Sequence, residues 1–210
     1  MRRPRLLPSL ATAITLFAAA PPALAADPLP HRLAALTPAD FATQVTIVND
    51  PLTGAVVLST QAGYARSRAI GGARANDVHL RAVVDRASGR VTWQVWHDLV
   101  YVGGRKDISA VHYRSGGAER LARPLSIEHW LDRCPPTDAV GFCNQATRIG
   151  FELPEQAVRE IAAAWRAGAR TAWPVRLRDT AGGGEVIGGI APAEAAGLMQ
   201  ALADWRGRSS

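Results

Sequence analysis

The sequence predicts an α+β fold that is mainly β: an antiparallel sheet or sandwich built from consecutive hairpins, with two amphipathic helices in the C-terminal third. Three observations carry this. Residues 77–102 form two arms rich in β-branched and aromatic residues around Ser88-Gly89, a composition that suits a half-buried pleated surface closed by a tight reversal. Period-two alternation of apolar residues recurs along the chain, whereas helical spacing first becomes convincing after Pro154. Hairpin follows hairpin, so the pairing should be antiparallel.

Residues 1–25 come first and read as a cleaved signal peptide. Arg2, Arg3 and Arg5 are basic, the run from Leu6 to Ala20 is largely apolar, and Pro21-Pro22 precedes Ala23-Leu24-Ala25, the small residues a signal peptidase needs. An uncleaved membrane anchor is the competing reading, but the apolar run is short and interrupted by proline. No cysteine stands at the cleavage point to carry a lipid. Arg2-Arg3 leaves twin-arginine export open beside the general route. Nothing later in the chain has the length and apolarity of a membrane span. Residues 26–210 are expected to form one domain, and a chain of that length buries roughly 70% of its unfolded surface.

Residues 26–36 read as a loose lead-in. Thr37-Pro38-Ala39-Asp40 has a capping residue, a proline and an acid in the order that starts a helix. Strands are expected at 45–49 and 55–60, around a turn at 50–54. That turn shares the pattern Asp-x-x-Thr/Ser-Gly-x-Val with 85–91. A duplicated unit would explain this, but reuse of one hairpin chemistry is the simpler account. Residues 61–76 form a long polar loop. In the next hairpin Val78, Leu80, Ala82 and Val84 share one face of the first arm; Val91, Trp93, Val95, Leu99 and Tyr101 share one face of the return arm, with His97 in that apolar series. A turn at 103–107 and a strand at 108–114 follow. Residues 124–133 fit a strand, with a short helix as the alternative. Thr147, Ile149, Phe151 and Leu153 alternate as a strand. Val158, Ile161, Ala162 and Trp165 take helical spacing, ending near Gly168. Two more strands, at 173–177 and 185–190, precede a terminal helix opened by Pro192.

The formal charge is +6, and removal of three signal-peptide arginines leaves +3, which is no nucleic-acid footprint. Lys106 is the sole lysine. An arginine preference of that kind suits phosphate or carboxylate recognition, but base composition is the simpler explanation. Cys134 and Cys143 are the only cysteines, and in an exported chain such a pair reads as a disulfide. Closing that short loop would stabilise by roughly 2.5–3 kcal/mol. The gap fits neither a redox motif nor a zinc knuckle.

Candidate binding residues are Arg66, Arg68 and Arg74 in the polar loop, which could hold an anion or simply be solvated. Trp96 is another, on the more polar face of its strand with Gln94 and Asp98. The alternative for Trp96 is that a C-terminal helix covers that face. His97 and His112 would sit side by side, as the start of a metal site, if their strands paired across the 103–107 turn. Ser126, His129 and Asp132 do not make a triad, because residues at i, i+3 and i+6 of a strand alternate faces. The glycine clusters 182–184 and 188–189 lack a phosphate-loop ending and read as turn punctuation. No cofactor is implied.

Asp77-x-x-Leu80-Arg81-Ala82, Asp85-x-x-Ser88-Gly89, Gln94-Val95-Trp96, the Cys134/Cys143 pair and the strand from Trp173 to Leu177 resemble features of small exported β-rich proteins of proteobacteria that have no assigned activity. The resemblance covers about half of the mature chain. It implies a periplasmic β-rich domain and supplies no catalytic residue. The leading expectation is a periplasmic, non-catalytic binding or envelope accessory module, with an envelope protein or a small anionic ligand as partner. An exported hydrolase with a loop-assembled site, and a metal-binding module at His97 and His112, are the alternatives.

Overall fold

The computed structural model describes residues 28–61, 69–70, 73–74, 77–133 and 143–209. Two short helices, α1 (His31–Ala34) and α2 (Pro38–Gln44), lead into β1 (Thr46–Asp50) and β2 (Ala55–Ser59). Next come β3 (Ala69–Ile70), β4 (Ala73–Arg74), β5 (Asp77–Asp85), β6 (Val91–Val102), β7 (Ile108–Ser115), β8 (Ala118–Ala122), β9 (Pro124–Arg133) and β10 (Asn144–Leu153). Helix α3 (Glu155–Ala163), β11 (Trp173–Asp179), β12 (Glu185–Ile190) and α4 (Pro192–Ser209) complete the chain. The fold is mainly β with two antiparallel sheets of six and four strands, ordered β1-β2-β5-β6-β10-β9 and β12-β11-β7-β8.

The stretch expected to be a loose lead-in is tied down where it is described. Leu29 and Leu33 are buried. The Leu29 N–H donates to the Arg170 carbonyl at 2.7 Å, and Arg170 Nε donates to the Leu29 carbonyl at 2.7 Å. Helix α2 starts with a capping box: Asp40 N–H donates to Thr37 Oγ1 and Thr37 N–H to Asp40 Oδ2. These Thr37 bonds hold the Asp40 carboxyl below its ordinary value.

Three tight turns use one device. In each, an aspartate ends a strand, its carboxylate accepts N–H groups from the next residues, and a glycine four positions on takes positive φ, which a Cβ disfavours. Asp50 accepts from Leu52 and Thr53, and Asp85 from Ala87 and Ser88. Gly54 and Gly89 both have φ of 68°. Asp179 repeats the arrangement with Ala181 and with Gly183 at φ 66°. Because Ala55 pairs with Asp85, the first two turns lie at the same end of the six-stranded sheet.

One core joins the layers. Val78, Leu80, Ala82 and Val84 of β5 share their face with His97, Val95, Trp93 and Val91 of β6 through direct register. Helix α4 covers this inner face over β2 and β5, and the four-stranded sheet meets it at His97. A Cβ at Gly188 would lie 2.3 Å from His97 Cε1. Gly188 and Gly189 are strand residues of β12, not turn punctuation, and the bare Gly188 permits the sheets' close approach. Gly197 does the same between helices, where a Cβ would lie 2.5 Å from Phe41 Cβ. At the start of α4 the buried Thr60 hydroxyl and buried Glu194 carboxylate lie 2.5 Å apart.

The pairing of the strand from Val91 with that from Ile108, the condition for a His97–His112 pair, does not occur. The second edge of β6 is taken by β10, from Leu153↔Trp93 to Asn144↔Val102. Strand β7 crosses to the other sheet between β8 and β11. The crossing loop is fastened by Lys106 N–H donating to Tyr101 Oη at 2.8 Å and Asp107 N–H donating to Asp179 Oδ1 at 3.0 Å.

Candidate functional site

Alternation that points Val78, Leu80 and Val95 into the core points His79, Arg81, Gln94, Trp96 and Asp98 to the other side of the six-stranded sheet. The register brings His79 beside Trp96, Trp96 beside Gly150, and Asp98 beside Arg148. From the neighbouring β9, Glu128 and Trp130 fall opposite Arg148 and Ala146. This outer face is polar, yet His79 is only 2% and Asp98 only 8% exposed, while Trp96 is half-buried. Strand β4 lies near β6. On its β5 side, β6 is paired only from Val91 to Asp98.

Two arginine–tryptophan stacks define the geometry. The Arg81 guanidinium lies 4.4 Å from the Trp96 ring centroid, and that of Arg148 lies 5.5 Å from Trp130, distances at which a cation is attracted to the ring face. His79 is near-parallel to Trp96, with an interplanar angle of 12°. Trp96 is held further by its indole N–H donating to Gln94 Oε1 at 3.1 Å. A Cβ at Gly150 would meet the indole at 3.1 Å, so the missing side chain there leaves room for the ring.

The two guanidiniums differ in their partners. Arg148 Nε and Nη2 donate to the two oxygens of Asp98 at 2.7 and 2.8 Å, a bidentate fork. Arg81 Nη2 donates to the neutral amide oxygen of Gln61 at 3.2 Å. Arg81 Nε is buried and has no hydrogen-bond partner among the described residues. Burial, with the nearby Arg148 charge, pushes the Arg81 pKa down against the pull of Asp98 and Glu128.

The histidines expected to form a metal pair are separated. His97 is fully buried between the sheets. His112 lies on the outer face of the four-stranded sheet, with Nδ1 3.0 Å from Glu119 Oε1. No group of three or more histidine, cysteine, aspartate or glutamate residues suited to a metal occurs among the described residues. Arg66 and Arg68 lie outside the described residues; Arg74 is placed as backbone in β4. Cys143 is buried, and Cys134 lies outside the described residues. The C-terminal helix considered as a cover for Trp96 packs on the opposite, inner face of the sheet.

A second polar chain runs across three strands of the six-stranded sheet. His129 Nδ1 lies 3.1 Å from Thr147 Oγ1, which lies 2.7 Å from Tyr101 Oη. Burial, followed by the charge of Arg105, lowers the His129 pKa against Asp107. Thr147 is fully buried, so its hydroxyl has no route to a substrate carbonyl, and this chain reads as structural. Arg81, Trp130 and Arg148 were absent from the sequence-based candidates. The alternation phase of β5 marks Arg81 as outward, whereas Arg148 and Trp130 need the long-range register. Comparisons with protein-family models, with curated proteins and with solved structures each found no match.

Proposed function

We propose that this chain is an exported, periplasmic, non-catalytic binding or envelope accessory module, and that the outer face of the six-stranded sheet is its binding surface. One observation carries the reading: away from the core, half-buried tryptophans and arginines are stacked and orientated by Gln94, Asp98 and Gly150. Such a platform offers an apolar ring face and hydrogen-bond donors together, as ligand sites do. The face is not sealed within the monomer, since Trp96 and Trp130 remain half-buried and Glu128 exposed.

Export is supported by the basic, apolar and small-residue order of residues 1–25. A bridge between Cys134 and the buried Cys143 is the companion proposal. Intact mass of periplasmic material tests both; a retained leader or two free thiols refutes the corresponding claim. No helix of the described residues is long and apolar enough to cross a membrane.

The binding surface is tested by thermal shift of the mature, oxidised protein against metals, nucleotides, sugars, peptidoglycan fragments and lipids. A ligand at a hundred times its Kd adds about 2.7 kcal/mol, several degrees in Tm. The shift should disappear in Trp96→Ala. A ligand whose shift survives both Trp96→Ala and Trp130→Ala would move the site elsewhere.

A further inference from the structure

We propose that Arg81 seats an oxyanion, the carboxylate or phosphate group of a ligand, at the fork now half-occupied by Gln61; this rests on the binding surface proposed above. Arg148 supplies the internal template, with its Nε and Nη2 closing on both oxygens of Asp98. Arg81 presents the same two donors. One meets a neutral amide and the other, Nε, meets no partner among the described residues. Asp98 is already engaged by Arg148, and Arg81 forms no ion pair among the described residues. A half-buried guanidinium without a contacting counter-charge keeps part of its desolvation cost. A planar oxyanion displacing the Gln61 amide would complete both hydrogen bonds and supply that charge.

Trp96 lies 4.4 Å from the Arg81 guanidinium and Nε is closed to solvent, so a ligand reaches the fork by displacing the Gln61 amide. The segment that follows Gln61, residues 62–76, contains Arg66, Arg68 and Arg74 and no acidic residue. The composition of this next stretch of sequence is basic and suits an anionic ligand. Arg176, also outward on a strand, makes the contrast: it already bonds Glu119 and lies 3.5 Å from Glu185.

The experiment titrates the mature protein with sodium phosphate and, separately, sodium acetate, against sodium chloride at equal ionic strength, reading Tm and tryptophan fluorescence. A saturable response beyond chloride is expected, with acetate or phosphate dominance separating a carboxylate from a phosphate ligand. Arg81→Gln should weaken it about tenfold or more, whereas Arg176→Gln should leave it unchanged. Gln61→Glu places a carboxylate on the fork from within; it should raise the basal Tm and abolish the anion response, which guards against a variant that merely unfolds. Responses no larger than those to chloride, or equal in Arg81→Gln, overturn the proposal. A neutral ligand lost in Trp96→Ala but retained in Arg81→Gln overturns the oxyanion seat while leaving the binding surface in place.

Discussion

Arg81 and Arg176 occupy equivalent kinds of place, outward positions in the middle of a strand, one on each sheet. Their surroundings differ in a single respect. Arg176 is held between Glu119 and Glu185, with His112 on the same Glu119 carboxylate. Arg81 has an aromatic ring beneath it and an amide beside it. The first arrangement is a neutralised surface cluster of the kind that contributes about 0–1 kcal/mol. The second leaves donor capacity unspent. A count of arginines treats the two alike; only the partners tell a satisfied cation from one that can still receive a ligand.

The comparison can be broken on both faces at once by prising the sheets apart. Gly188→Ala drives a methyl group toward a His97 ring that has no room to retreat, so a loss of about 1–3 kcal/mol is expected by overpacking, measured by urea denaturation. Both outer faces should then lose their fixed geometry together.

Arg148→Gln acts on one face only. It leaves Asp98, with a side chain 11% exposed, without its bidentate partner, for a loss of about 2–3 kcal/mol. The freed Asp98 can turn toward Arg81, so the anion response of Arg81 should fall as well. Stability unchanged in denaturant would refute the pairing.

The smallest effect concerns the carboxylate buried in the four-stranded sheet. Burial by itself pushes the Asp179 carboxyl up, but the N–H groups of Asp107, Gly182 and Ala181, with the Lys106 ammonium, outweigh it and leave it below its ordinary value. A depressed folded pKa gives stability that is present above the unfolded value of about 3.9 and lost as pH falls through the folded value. Asp179→Asn should cost about 1–2 kcal/mol at neutral pH. The gap to wild type should close below pH 4, as read by denaturation across an acid series; a constant gap would show that its charge is irrelevant.

Much of the fold is legible in the sequence because strand alternation is a local signal. Strands β5, β6, β10, β11 and β12 follow from it, as do the two C-terminal helices. Strand β8 escapes because Ala118-Glu119-Arg120-Leu121-Ala122 has no β-branched residue and lies largely exposed. The pairing of β6 with β10 escapes because local alternation carries no partner information. That one register decides which histidine meets which neighbour, and it brings Arg148 to Asp98 and Gly150 under Trp96. The site is thus half-legible: Trp96 stands out, while the arginines that complete it depend on pairing. The third aspartate turn was readable only as glycine-rich, because Gly182 stands where the other two carry Thr53 or Ser88.

The Asp50 turn gives an experimenter a handle. Its shape depends on the Asp50 carboxylate, the Thr53 hydroxyl and Gly54, while the Leu52 side chain, 94% exposed, is free of that duty. A fluorophore or surface tether installed at position 52 would grip the molecule by the tip of its first hairpin, away from the Trp96 row. Immobilised this way, the protein would offer its sheet to solution in one orientation, turning a surface loop into the mounting point for a sensor.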